Sequence, residues 1–258
     1  MNTSGKAGKT DNASKSGPGI VSKAGVRTSA VLVAAGRGSR MGGDVKKQFL
    51  ELEGVSILER TLAVFASLPE IYEIVLVVGN DDFSFCEQKI VSKYTSCKSI
   101  RLVSGGANRQ KSVYAGVLAT SAATQIVVVH DGVRPFIEPI TIRAAVQVTA
   151  ECGAACVAVP VVETVKRVYH GTIDSTPDRK DLWLAQTPQC FRRELFLRAM
   201  AEAERVGFIG TDDASLVERL GEPIAIVEGS YDNIKVTTKK DLELAGVIAR
   251  RMSCPLPG

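Results

Sequence analysis

Short β-branched runs recur along this chain at intervals filled by helix-patterned segments, and that alternation constrains the fold more than any other feature of the sequence. The runs are SAVLVAAG (29–36), EIVLVVG (73–79), SIRLVSGG (99–106), QIVVVHDG (125–132), GAACVAVPV (153–161) and EPIAIVEG (222–229). Apolar runs without internal alternation predict strands covered on both faces. Between them, ILERTLAVFASL, FCEQKIVSKY, RQKSVYAGVLATS, PITIRAAVQVTAE and RRELFLRAMAEAERV place apolar residues three to four positions apart, the spacing of one helix face. The pattern is that of repeated βαβ units, so the expected fold is α/β: a Rossmann-like, mostly parallel sheet with helices on both faces. One segment departs from it. Residues 163–183, ETVKRVYHGTIDSTPDRKDLW, carry a short alternating strand, a polar tip and a return, which predicts a β-hairpin arm leaving the sheet.

The 258 residues are within the reach of one large α/β domain. Residues 1–28 are rich in Ser, Gly, Lys, Thr and Asn and are expected to be a disordered extension. A single domain should span 29–252, with 162–183 as its arm and 253–258 as a tail. No apolar run approaches the roughly 18 residues needed to cross a bilayer. The net charge of +4 is local: residues 1–27 hold Lys6, Lys9, Lys15, Lys23 and Arg27 against Asp11, which leaves 27 basic and 27 acidic residues in the remainder. A neutral body offers no phosphate-tracking stripe, so neither nucleic acid nor membrane is an expected partner. The six cysteines form no CxxC pair, and with His130 and His170 as the two histidines no zinc spacing is present. Cysteines of this kind are expected as small buried side chains in a reducing compartment. The extension lacks the apolar stretch of a secretory signal and is poor in arginine, which favours a cytoplasmic protein over a plastid-type organelle.

Ligands of open α/β sheets bind outside the carboxyl ends of the strands. The first such end is followed by AAGRGSRMGGDVKKQF (34–49), with Arg37, Arg40, Lys46 and Lys47 around a glycine-rich turn. Backbone amides exposed by glycine and alanine can approach phosphate oxygens closely. Two familiar loops fail here. Met41 occupies the position of the last glycine in GxGxxG, and Asp44 that of the Walker lysine. Fixed cations beside a phosphate-sized backbone pocket suit a triphosphate that is being broken.

The pattern AAGxGxRM followed by KQF resembles the start of sugar-phosphate nucleotidylyltransferases. GGANRQKSVYAG (105–116), HDGVRPF (130–136), VETVKRV (162–168), DRKDLWLAQTPQCF (178–191), GTDDASLVE (210–218) and DNIKVTTKKDLELA (232–245) together resemble the 2-C-methyl-D-erythritol 4-phosphate cytidylyltransferase family over about residues 29–250. The resemblance implies a nucleotidylyltransferase/glycosyltransferase-A-like fold, CTP and a polyol phosphate as substrates, Mg2+ held mainly through the CTP phosphates with no protein ligand named, and a homodimer formed through the arm. It implies that Ala34, Ala35 and Gly36 take the cytidine nucleotide with their backbone, that Gly106 and Ser112 hold its base and ribose side, and that Arg40 and Lys47 stabilise the transition state at the α-phosphate. Asp131 would contact the polyol and lie near the nucleotide, with Arg134 beside it. Thr211 and Lys235 would complete the polyol-phosphate pocket, Lys235 positioning the attacking phosphate. Thr164 and Arg179 stand at the feet of the predicted hairpin, where strand pairing brings them together, and the family's arm would carry them to a neighbouring subunit's site. Against the family's pattern, Lys46 replaces a usual proline, Val33 a frequent one, and Ala107-Asn108 a more acidic pair.

The implied reaction is in-line attack of a phosphate monoester on CTP. Such a monoester is already ionised near neutral pH, its second pKa being about 6, so positioning and charge neutralisation must supply the acceleration. The alternatives are a ribitol-5-phosphate cytidylyltransferase of the same architecture, a nicotinamide-dependent Rossmann oxidoreductase, and a non-catalytic nucleotide-sensing module. Met41, and the absence of a clear acidic ribose partner about 20 residues after the loop, count against the oxidoreductase.

Overall fold

A computed structural model describes residue 1, residues 26–36 and residues 45–253. In chain order its elements are β1 (Thr28–Val33), β2 (Glu51–Leu52), β3 (Val55–Ser56), α1 (Ile57–Ala66), β4 (Ile71–Val78), α2 (Phe83–Lys89), β5 (Ser99–Ser104), α3 (Arg109–Leu118), β6 (Ile126–Asp131), α4 (Pro139–Cys152), β7 (Ala154–Pro160), β8 (Arg167–Tyr169), β9 (Thr172–Ser175), β10 (Trp183–Arg192), α5 (Arg193–Arg205), α6 (Ala214–Glu218), β11 (Ala225–Glu228) and α7 (Lys239–Ser253).

Among the described residues, seven strands form one sheet in the order β11-β7-β10-β6-β1-β4-β5. β1 lies parallel to β4 and β6, β4 to β5, and β7 to β11. The expected α/β architecture is therefore present. It is mostly parallel because β10 runs antiparallel between β6 and β7.

The apolar runs build this sheet because successive side chains point to opposite faces and both faces are covered. Ala30, Leu32, Ile74, Leu76, Ile126 and Val128 bury against Leu58, Leu62 and Phe65 of α1 and Ile142 of α4. Their neighbours Val31, Val75, Val77, Val127 and Val129 bury against Val113 of α3 and Phe196 and Met200 of α5. The outer strands differ from the sequence expectation. β5 and β11 lie at the sheet edges and alternate between covered and uncovered positions, as a strand with one neighbour can.

The segment after the arm holds the larger difference. Paired arm strands are confined to β8 and β9, joined through His170 and Gly171 at positive φ. Trp183, expected as the end of the return strand, instead opens β10. WLAQTPQCFR does not read as an apolar run because Gln186, Thr187 and Gln189, all buried, are satisfied by partners that only folding supplies. Pro188 lies where the β10–β7 register shifts, between Ala185 and Gln189, and a proline cannot donate to the ladder. α6 and α7 lie in segments outside the strand and helix patterns of the sequence. α7 packs Ala245, Ile248 and Ala249 on Leu52, Val133, Phe136 and Val236.

Cys86, Cys156 and Cys190 are buried and Cys97 and Cys152 are exposed; all five are free thiols. Burial pushes the thiols of Cys86 and Cys156 up to about 12. No helix among the described residues is long and apolar enough to cross a membrane.

Candidate active site

β1, β4, β5 and β6 are parallel, so their carboxyl ends meet at one rim of the sheet. A cavity of about 610 Å³ opens there, lined by Ala34, Ala35 and Gly36 after β1, Gly106–Arg109 and Ser112 at the start of α3, and Asp131 at the end of β6. Lys47, Gln48 and Lys235 complete the wall. Its size suits a small ligand, for which pockets span roughly 300–1,000 Å³.

The first wall is backbone. Ala34 N donates to Val77 O at 2.8 Å, continuing the β1–β4 ladder past the strand. Opposite, Gly105 lets the end of β5 approach closely, for a Cβ there would stand 2.2 Å from the Ala35 Cβ. Asn108 caps α3 by accepting from Lys111 N at 2.8 Å. The Ser112 hydroxyl folds the preceding loop onto this first turn, accepting from Gly106 N at 3.0 Å and donating to Asn108 O at 2.8 Å. Ser112 thus lies in the wall and shapes the loop. The N-terminal turn of α3 faces the cavity, adding its unpaired amides and partial positive charge.

The second wall is ionic and centres on Asp131. Arg109 Nε lies 2.9 Å from Asp131 Oδ1, and Lys235 Nζ lies 2.8 Å from Oδ2. Arg134 Nε is 3.7 Å from the same Oδ2. Burial alone would raise the Asp131 carboxyl, but Arg109, Lys235 and Arg134 outweigh it and hold the group well below the usual carboxylate range. Arg109 is fixed in turn by Asp213, donating from Nη1 at 3.0 Å and from Nη2 at 2.8 Å, a two-pronged geometry that only a guanidinium provides. Burial acts to lower the Arg109 pKa, yet Asp213 and Asp131 raise it further still, so this cation is permanent.

Beneath Asp131, Thr187 Oγ1 accepts from Asp131 N at 3.1 Å and faces His130 Nδ1 at 3.1 Å, while His130 Nε2 lies 3.1 Å from Arg134 O. The hydroxyl proton then points to Nδ1, and Nε2–H donates to the carbonyl. Burial pulls the His130 pKa down to about 4, so the ring is neutral and structural. His170 is exposed at the tip of the arm. Asn233 ties the Lys235 segment to β10, donating from Nδ2 to Gln186 Oε1 and Thr187 O at 2.9 Å each, and its carbonyl accepts from Arg134 Nη1 at 2.7 Å.

Of the residues singled out in the sequence, Ala34, Ala35, Gly36, Lys47, Gly106, Ser112, Asp131 and Lys235 line the cavity. Arg134 lies behind Asp131, its side chain 12% exposed. Thr211 is exposed beside Asp212 and Asp213 and lies outside the cavity lining. Thr164 and Arg179 are exposed at the foot of the arm, where Arg179 Nη1 donates to Val162 O at 2.6 Å, and they too lie outside the lining. Arg40 falls outside the described residues. Arg109, Gln48, Thr187 and Asp213 enter from the structure alone. The motif blocks contain them, but the partners of Arg109 are 22 and 104 positions away, and no local pattern announces that pairing.

Cations converging on a backbone cradle suit the making and breaking of phosphoanhydrides at a bound nucleotide. The class that this fold and this cavity define is the α/β nucleotidyltransferase. Within that class the chain belongs to the 2-C-methyl-D-erythritol 4-phosphate cytidylyltransferase family, whose model matches residues 28–251. It is 43% identical over 226 residues to the enzyme of that name from Desulforamulus reducens, covering 87% of this chain and 97% of the relative. The Syntrophotalea carbinolica enzyme is 47% identical over 216 residues, 83% of this chain and 93% of the relative. The crystal structure of 4-diphosphocytidyl-2C-methyl-D-erythritol synthase from Anaerococcus prevotii superposes with a TM-score of 0.80 at 32% identity, covering 87% of this chain and 96% of that one. The Thermus thermophilus cytidylyltransferase does so with a TM-score of 0.70, also at 32% identity, covering 85% and 98%.

Proposed function

We propose that this cavity transfers a cytidylyl group from CTP to 2-C-methyl-D-erythritol 4-phosphate, giving 4-diphosphocytidyl-2-C-methyl-D-erythritol and pyrophosphate. The observation that carries the reading is the presence of Lys47 and Lys235 in the wall of the same cavity as the backbone cradle of Ala34–Gly36 and Gly106–Asn108, in a chain of that family. A phosphate oxygen of the polyol attacks the α-phosphorus in line, the bond from that phosphorus to the bridging oxygen of the β-phosphate breaks, and the electron pair leaves on pyrophosphate. The attacking monoester is already dianionic near neutral pH, so no proton need be removed. Lys47, and with it Arg40, stabilises charge at the α-phosphate. Lys235 orients the incoming phosphate, and Asp131 accepts from polyol or ribose hydroxyls.

In this reading magnesium is held mainly through the triphosphate. Among the described residues no group of three or more His, Cys, Asp or Glu could hold a metal ion, and both Asp131 oxygens already face cations. The triphosphate would carry the ion, which usually keeps several waters and binds through phosphates, and its contribution would be neutralisation of the leaving pyrophosphate.

Thr164 and Arg179 belong in this reading to a partner's site. Their exposure at the foot of an arm bearing uncovered Val168, Tyr169 and Ile173 supports a homodimer in which the arms cross. A cytoplasmic setting accords with the bacterial relatives.

Pyrophosphate release from CTP and magnesium, with 2-C-methyl-D-erythritol 4-phosphate or ribitol 5-phosphate as acceptor, tests the proposal. Release that depends on the methylerythritol acceptor is expected. No release, or a preference for ribitol 5-phosphate, would overturn it.

A further inference from the structure

Lys47 reaches the cavity from a single 3-10 turn, Lys47–Phe49, the smallest element that contributes to the wall. One turn has little rigidity of its own, so how its two flanks are held helps to set the position of Lys47. The following flank is fastened by Gln48, 1% exposed, whose Nε2 donates to Ala34 O at 2.9 Å, and by the Phe49 ring, whose centroid lies 4.8 Å from that of Phe85. The preceding flank is fastened by a charge. Lys46 Nζ lies 2.7 Å from Asp82 Oδ1.

We propose that the Lys46–Asp82 ion pair is a positioning device for Lys47, setting the turn against the end of β4 so that the Lys47 ammonium meets the reacting phosphate. This rests on the reading of Lys47 given above.

Lys46 begins the turn in an extended conformation, φ −62° and ψ 139°, and its side chain caps nothing in the turn. Its carbonyl accepts from Phe49 N at 2.9 Å, so backbone and side chain of one residue join the turn to Asp82. Asp82 is itself fixed. Its amide donates to Gly79 O at 2.9 Å, and its side chain is 9% exposed. The pair lies directly on the chain where β4 ends, because a Cβ at Gly79 would stand 3.0 Å from Asp82 Oδ2 and 3.7 Å from Lys46 Nζ. Among the described residues Oδ2 has no hydrogen-bond partner. Lys46 is therefore, among the described residues, the principal compensation for this shielded carboxylate, and a shielded pair is screened less by salt than an exposed one. β4 is hydrogen-bonded to β1 along its length, and β1 ends in the Ala34–Gly36 cradle. Lys46 and Gln48 thus refer Lys47, from either side, to the same two strands that place the nucleotide backbone. A misplacement of about 1 Å at such a group is enough to slow a reaction that depends on alignment.

A double-mutant cycle tests this, with kcat and both Michaelis constants measured by pyrophosphate release, and folding checked by thermal melting. Lys46→Ala and Asp82→Asn should each lower kcat on the order of tenfold, with the Michaelis constants nearly unchanged. Lys46→Arg should retain most of the turnover. In a Lys47→Ala background, Lys46→Ala should cause no further loss, because the residue it positions is gone. The proposal is overturned if Lys46→Ala lowers kcat by the same factor with and without Lys47, or if it lowers the melting temperature while leaving kcat intact. Wild-type turnover in Lys47→Ala alone would instead overturn the role given to Lys47, and the positioning role with it.

Discussion

Lys235 Nζ sits 2.8 Å from Asp131 Oδ2, joining the carboxyl end of β6 to a segment that lies beyond β11 in the chain. The other Asp131 oxygen is taken by Arg109 at 2.9 Å, so the carboxylate stays paired when Lys235 is removed. The Lys235 side chain is 38% exposed, so its ion pair with Asp131 is partly screened by solvent. Lys235→Ala should therefore fold with a melting temperature close to that of the native chain while losing activity. We expect a fall in kcat/KM for the polyol phosphate on the order of a hundredfold, as for other fixed donors at a transferring phosphoryl group. Steady-state kinetics beside a thermal melt separates the two effects.

Arg109 should behave in the opposite sense. Its Nη atoms hold Asp213, whose side chain is 1% exposed, and truncation would leave that carboxylate buried and unpaired. Arg109→Ala should cost about 3 kcal/mol of stability, the scale for removing one partner of a buried pair. Arg109→Lys should recover only part, because an ammonium cannot make both parallel bonds. Urea denaturation of the variants measures both, and an Arg109→Ala chain as stable as the native one would contradict a stabilising Arg109–Asp213 pair.

His130 predicts a pH dependence of stability. Burial lowers its folded pKa from an ordinary 6.5 to about 4, so between these values the unfolded chain binds the extra proton. The stability contributed by the neutral ring is complete above pH 6.5 and is lost as pH falls towards 4, by about 3 kcal/mol in all. Denaturation midpoints at pH 7 and pH 5 should differ in the native chain and converge in His130→Gln. Asp131 adds almost nothing between pH 7 and pH 5, because its lowered folded value and its ordinary unfolded value of 3.8 both lie below that interval.

If the arms exchange between subunits, Lys47 and Arg179 act in the same site from different chains. Lys47→Ala and Arg179→Ala homodimers should each be nearly inactive. Unfolding and refolding them together should restore roughly a quarter of native activity, since half of randomly paired dimers hold one site with both residues intact. No recovery would place both residues in one chain's site. Arg179→Ala alone should raise the Michaelis constant for the polyol phosphate more than that for CTP.

The sequence by itself determined the layered α/β architecture, because hydrophobic periodicity is local: Val31 and Leu32 face opposite helices whatever the rest of the chain does. It also marked the rim of the sheet, since Ala34–Gly36, Gly106 and Asp131 each end an apolar run, and it separated the arm by its polar tip. Tertiary structure alone decided what those rim residues meet. β10 enters the sheet through buried Gln186, Thr187 and Gln189, which look like loop residues until Asn233 and Asp212 satisfy Gln186 and Gln189 and the Asp131 amide and His130 meet Thr187. Arg109 finds Asp213 across 104 positions, and Lys46 finds Asp82 across 36. Charge pairing depends on distance in space and on exclusion of water, and neither exists for these groups until the strands converge.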